Sequence, residues 1–221
     1  MTRPLQTTVL ISGAGSNLQA LIDARSSGRL DIDLNHVISN VADAKGLERA
    51  ENAGIRTSIL EHGAFPNRDD FDRALALLIA AGDPGLVVLA GFMRIIGPAV
   101  LAPYDGRMIN LHPSLLPLYR GTGTYRRALD AGDPMHGASI HFVTGELDGG
   151  PVISQVAIPI EADDDPDSLA ARLSPMEHSL VVATVEFFAG HRVECKAGAV
   201  IVDGNTLAGP LQLQADEQLK P

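Results

Sequence analysis

The chain has 221 residues, 45% hydrophobic and 20% charged, and its 17 Lys+Arg against 27 Asp+Glu give a formal charge of −10. An acidic chain of ordinary globular composition, without a basic tract, is a poor binder of nucleic acid or of an anionic membrane. The one cysteine, Cys195, excludes an internal disulfide and a CxxC metal site. The start, MTRPLQTTVLISGAG, has no apolar core for a signal peptide. The most apolar stretch, 85–93, stops at Arg94, far short of the roughly 20 residues of a membrane span. The expectation is a soluble cytoplasmic protein with a single domain over 1–221.

Residues 8–11 form a short β-rich run that ends in Ser-Gly-Ala-Gly. Leu18, Leu21 and Ile22 then recur at helical spacing, with Gly28 closing the segment. Residues 36–39 predict a strand, 45–53 a short helix ending at Gly54, and 56–60 another strand. Asn67 is placed to cap a helix with Asp69 and Asp70 in its first turn, where the helix dipole favours acids. Phe71, Leu75, Leu78 and Ile79 make its stripe, and Gly82 stops it.

The continuous apolar run 86–90 suits a parallel strand buried on both faces. Residues 108–111, 139–143 and 152–158 predict further strands, the last two separated by the turn-rich segment 146–151. Asp165 and Pro166 predict the cap and first residue of a long helix with the stripe Leu169, Leu173, Met176 and Leu180. Residues 200–207, around Asp203-Gly204, predict a terminal hairpin, and the tail after about 209 is expected to fray. The alternation of strand and helix predicts an α/β fold: a Rossmann-like, mostly parallel sheet with helices on both faces and antiparallel additions toward the C-terminus.

Ligands on such sheets bind beyond the carboxyl ends of the strands. The first strand is followed by GAGSNL (13–18), half of a dinucleotide fingerprint, since Leu18 replaces the third glycine. The second strand ends in Ser39-Asn40 rather than an acid, which speaks against NAD. A glycine turn opening a helix still offers backbone N–H groups to a phosphate, with Ser16 and Asn17 as added donors. The alternative is a plain tight turn capped by Ser16 or Asn17.

GFMRII (91–96) could line a pocket for a flat ligand or be ordinary core. Asn110 and His112 share one side of a strand end, as an oxyanion site or as loop caps. Asp148 is either a turn residue or a carboxylate that raises the His112 pKa. His136 and His141 are an odd number apart and make a poor metal pair on one strand.

Together VLISGAGSNLQALIDA (9–24), SNVADAKGLERA (39–50), VVLAGFMRII (87–96), INLHPSLLP (109–117) and HFVTGELDGGPVI (141–153) resemble the phosphoribosylglycinamide formyltransferase family over about residues 8–208. The resemblance implies formyl transfer from 10-formyltetrahydrofolate, a co-substrate, to the amine of glycinamide ribonucleotide in de novo purine synthesis. It implies Asn110, His112 and Asp148 as the catalytic trio. It implies Gly15, Ser16 and Asn17 at the substrate phosphate and Glu177 at the ribose. The folate would lie against Arg68, Met93, Arg94, Ile95, Ile96, Asn110, Thr144, Gly145, Glu146, Leu147 and Asp148. The partners it implies are small molecules, with no metal, nucleic acid or membrane, and it leaves a homodimer open.

Leu118, Arg120 and Gly123 stand where the family often has Lys, Pro and His, and Leu-Pro-x-x-Arg-Gly resembles the methionyl-tRNA formyltransferase branch. Pro175 is expected to kink the last helix just before Glu177. Three rivals are weighed. A tRNA-acting enzyme would be expected to add a C-terminal domain and a basic face. A formyltetrahydrofolate hydrolase would be expected to add an N-terminal regulatory domain. A non-catalytic phosphosugar- or folate-binding protein would not need Asn110, His112 and Asp148 together.

Overall fold

The computed structural model describes residues 3–221, which divide between Asn110 and Leu111 into two compact units. The first unit runs β1 (Leu5–Ile11), α1 (Ser16–Ser26), β2 (Ile32–Ser39), α2 (Lys45–Asn52), β3 (Thr57–Ile59), α3 (Arg68–Ala80), β4 (Leu86–Leu89) and α4 (Pro98–Leu101). It ends within β5 (Met108–His112), whose last two residues open the second unit. Its strands lie in the order β3-β2-β1-β4-β5, and every pairing among them is parallel. The order turns back at β1. Right-handed crossovers therefore put α1 and α2 on one face and α3 and α4 on the other. The crevice at the switch point opens between the carboxyl ends of β1 and β4.

Local chemistry accounts for most of these boundaries. β4 is buried along its whole length, as its unbroken apolar run requires. The Asn67 side chain accepts the Asp70 N–H at 2.9 Å, capping α3. Phe71, Leu75 and Ile79 are buried on that helix, with Leu78 only half-buried. Gly54 takes the left-handed conformation that ends α2.

The second unit contains α5 (Thr124–Ala131), β6 (Met135–Phe142), β7 (Val152–Pro159) and α6 (Pro166–Gly190). A small antiparallel sheet follows, β8 (Val193–Lys196), β9 (Ala199–Val202) and β10 (Asn205–Thr206), then β11 (Leu211–Leu213) and β12 (Leu219–Lys220). β6 and β7 pair antiparallel, with a register shift at Ile140/His141. α6 opens on a capping box between Asp165 and Ser168 and runs unbroken through Pro175. Its Leu169, Leu173 and Leu180 are buried, and Met176 is half-buried.

One element went unpredicted from the sequence, and two sequence expectations differ from this picture. α5 had no visible period, because eight residues between the left-handed glycines Gly123 and Gly132 are too few to show one. The 199–206 hairpin is not terminal. Nor does the chain fray after 209: β11 pairs parallel with β7, and Leu211 is 2% exposed. Among the described residues no helix is long and apolar enough to cross a membrane.

Burial of Leu211 makes a testable difference. Leu211→Ala should cost about 2–3 kcal/mol and lower Tm by roughly 5–10 °C. An unchanged thermal denaturation curve would mean that this strand contributes nothing to the fold.

Candidate active site

In the first unit, the turn after β1 is shaped by two glycines that touch. Gly15 has φ +69°, and a Cβ there would lie 2.6 Å from the Gly46 Cα. Gly15 is also the N-cap of α1 and has no side chain to close the helix end. Neither Ser16 nor Asn17 serves as the cap, so the first N–H groups of α1 stay open to an anion. The Asn17 Oδ1 is buried with no hydrogen-bond partner. Arg49 braces the turn through Nε to the Ala14 carbonyl at 2.9 Å and Nη1 to Gln19 at 3.0 Å.

The exits of β1 and β4 are tied together. The Ser12 Oγ accepts the Met93 N–H at 2.8 Å and donates to the Asn40 Oδ1 at 2.5 Å. Asn40 therefore has a structural task where a dinucleotide fold would carry a ribose-binding acid. The 93–96 segment presents Met93 and Ile95 to solvent, at 75% and 56% exposure. α3 supports it from below. The Arg68 Nη2 donates to the Ile95 carbonyl at 3.1 Å, and the Arg94 guanidinium sits over the Phe71 ring. Asp72, 3% exposed, lies 3.5 Å from Arg68 and against Gly97, where no Cβ would fit. Burial raises its pKa, with Arg68 opposing.

β5 carries Asn110 and His112 two residues apart, at the point where its chain passes from the first unit to the second. In the second unit His112 is held at both ring nitrogens. Its Nε2 is 2.9 Å from the Tyr119 carbonyl, which can only accept, so Nε2 carries a proton. Its Nδ1 faces the Asp148 Oδ2 at 3.4 Å. His141 repeats the arrangement from the opposite side. Its Nδ1 is 2.8 Å from the Phe142 carbonyl, and its Nε2 faces the Asp148 Oδ1 at 3.6 Å. The Gly121 N–H donates to the Asp148 Oδ2 at 2.9 Å. Asp148 reaches this position from a turn residue at φ +46°, followed by Gly150, whose Cβ would strike the Phe142 carbonyl.

Burial and charge oppose each other at His112. Burial pushes the His112 imidazole below its ordinary value, and this outweighs the Tyr119 carbonyl and the Asp148 charge, which both raise it. His141 and Arg127 lower it further. Asp148 does act in the expected direction, but desolvation wins in the free protein. For Asp148 burial works upward, yet His141, the Gly121 N–H and His112 together hold its carboxyl below the usual range.

The remaining expected residues lie on neighbouring elements of the second unit. Residues 144–147 form the loop leading into Asp148, with Glu146 paired to Arg120. Glu177, on α6, accepts from the Tyr125 hydroxyl at 3.3 Å. Burial, then Glu177, raises the Tyr125 pKa.

The formyl transferase family model matches residues 5–185. The chain belongs to the formyl transferase family. It is 48% identical over 213 residues to the phosphoribosylglycinamide formyltransferase of Escherichia coli, covering 96% of this chain and 100% of that one. The structure of the phosphoribosylglycinamide formyltransferase of Coxiella burnetii superposes with a TM-score of 0.89 at 47% identity, covering 94% of this chain and 99% of that one. Glycinamide ribonucleotide transformylase 1 of Symbiobacterium toebii gives 0.88 at 38% identity, covering 91% and 95%.

Within this formyl transferase the sequence reading missed His141, Tyr119 and Asp72. In the sequence His141 suggests no more than a poor metal pairing with His136. The signal for it was the short 141–148 segment, which returns Asp148 to the end of the strand that carries His141. The register shift at Ile140/His141, a distortion frequent beside active sites, was invisible in the residue pattern.

A pH test follows. The folded His112 pKa lies below the unfolded value of 6.5, so between the two the unfolded chain binds more protons. Stability should therefore be lost as pH falls below 6.5 toward the folded value. Asp148→Asn removes a charge that raises that pKa, so His112 should titrate at still lower pH by NMR. An identical titration in the variant would uncouple the two side chains.

Proposed function

We propose that this chain transfers a formyl group from 10-formyltetrahydrofolate to the amine of N1-(5-phospho-D-ribosyl)glycinamide, a step of de novo purine synthesis. The observation that carries the reading is His112, clamped between a backbone carbonyl and the Asp148 carboxylate two positions after Asn110. Residues 1–221 act in this reading as one cytoplasmic formyl transferase domain working on small molecules, without a metal.

The phosphate of the ribonucleotide suits the open N-terminus of α1, with Gly15 allowing close approach and Ser16 and Asn17 as side-chain partners. Glu177 is assigned to the ribose. The exposed Met93 and Ile95, with Ile96, Arg94 and Arg68, suit an apolar ring system bearing carboxylates. The family resemblance also assigns residues 144–148 to the folate.

The neutral amine attacks the formyl carbon, and the carbonyl oxygen takes up negative charge. The Asn110 amide supplies a hydrogen bond to that oxygen, and the His112 imidazolium supplies charge. Burial disfavours this imidazolium in the free protein, and the developing oxyanion is the partner that favours it. Asp148 holds the Nδ1 proton and helps a water carry the amine proton to the departing folate nitrogen. The tetrahedral adduct then collapses to formylated amine and tetrahydrofolate.

Spectrophotometric assay with 10-formyltetrahydrofolate and the ribonucleotide tests the reaction, and turnover that does not require the ribonucleotide would overturn it. Asn110→Ala should lower kcat by about 10²–10³ while folate still binds. Gly15→Val should weaken the ribonucleotide and leave the folate nearly untouched by calorimetry. Equal loss of both ligands would give the glycine turn a folding role alone.

A further inference from the structure

Tyr119 lies between β5 and α5, and its carbonyl faces the His112 Nε2. Its φ is +55°, a left-handed conformation uncommon for a bulky residue. Such strain persists only where the surroundings over-determine it. Here they do so from several sides. The phenol donates to the Asp133 Oδ2 at 2.5 Å, just past the left-handed Gly132. The Arg127 guanidinium lies 5.2 Å from the ring centroid. Arg127 also donates through Nη1 to the Arg120 carbonyl at 2.6 Å, fixing the peptide between Arg120 and Gly121. On the preceding side, the Ser114 Oγ donates to the Leu118 carbonyl at 2.6 Å.

The product of this bracing is the direction of two backbone groups. The Tyr119 carbonyl accepts from the His112 Nε2, and two residues later the Gly121 N–H donates to Asp148. One short segment thus holds both members of the His112–Asp148 pair. Because the carbonyl keeps Nε2 protonated, Nδ1 is left as the nitrogen that gains or loses a proton toward Asp148. Without it the neutral imidazole could turn its proton to Nδ1 and present a lone pair at Nε2.

We propose that Tyr119 is a positioning residue of the formyl transfer, its strained backbone held by the Asp133–phenol tether so that its carbonyl fixes the tautomer of His112. The inference rests on the functional reading above for its effect on rate, but the tautomer can be measured without any reaction. The charged or titratable groups around His112 are Asp148, His141, Arg127 and His136. None of them is altered by the substitutions used.

The experiment compares four variants of the full chain: Tyr119→Gly, Tyr119→Val, Tyr119→Phe and Asp133→Leu. Glycine adopts the left-handed conformation freely, whereas β-branched valine resists it. In the free protein, ¹⁵N NMR should show His112 protonated at Nε2 in the wild type and in Tyr119→Gly. Mixed tautomers are expected in the other three. With substrates, kcat should fall about tenfold in Val, Phe and Leu variants, on the scale of a lost hydrogen bond to a charged group, with the folate KM little changed. Tyr119→Gly should stay within about threefold of wild type. Melting curves check that each variant is folded. Loss in Tyr119→Gly equal to that in Tyr119→Val, or an unaltered tautomer in Tyr119→Val, would overturn the proposal. A wild type with the Nε2 tautomer but no formyl transfer would instead overturn the functional reading and leave the tautomer device standing.

Discussion

A carboxylate held between two imidazoles, each with its far nitrogen bonded to a backbone carbonyl, governs the second unit's chemistry. Asp148 occupies that place. The far nitrogens lie against the Tyr119 and Phe142 carbonyls, and both near nitrogens face the Asp148 carboxylate. At His112 burial opposes protonation and the carboxylate favours it. In the free protein burial prevails at His112 and lowers its pKa, while the partners of Asp148 hold its carboxyl below the usual range.

Such a cluster depends on backbone more than on side chains. Gly150 has no Cβ because the Phe142 carbonyl is in the way, and this close passage carries Asp148 back to the His141 end of β6. Ser139, inside β6, accepts the Leu116 N–H and donates to the Ser114 carbonyl, which anchors the segment between His112 and Tyr119. The first unit works in the same way with different parts. The approach of Gly15 to Gly46 leaves a helix end open, and Ser12 ties the β1 exit to the β4 exit.

Sequence patterning was most informative where one physical demand acts on consecutive residues. The unbroken apolar run of β4, the Asn67 and Asp165 caps and the glycine turn after β1 each carry their cause in a few neighbouring side chains. Element ends were less legible. β2 starts at Ile32 because its alternation of buried and half-buried positions continues through Asp33 and Asn35, polar residues that a hydrophobicity reading discards. β11 was missed because three residues show no period, and only the partner strand β7 makes them a strand.

Asn110, His112 and Asp148 stood out in the sequence because polar residues at the exits of buried strands are conspicuous there. Their chemistry was less accessible. The sign of the His112 shift is a competition between desolvation and charge, and desolvation depends on how much protein surrounds the ring. Tyr119, His141 and Asp133 are unremarkable in the chain and acquire meaning only when folding brings a carbonyl, an imidazole or a phenol to within 4 Å of a partner. The sequence by itself determined the α/β architecture and the family, since these follow from periodicity and local motifs. Tertiary structure alone decided which groups face the two nitrogens of His112 and how deeply the ring is buried, because hydrogen-bond partners and burial are properties of groups distant in sequence.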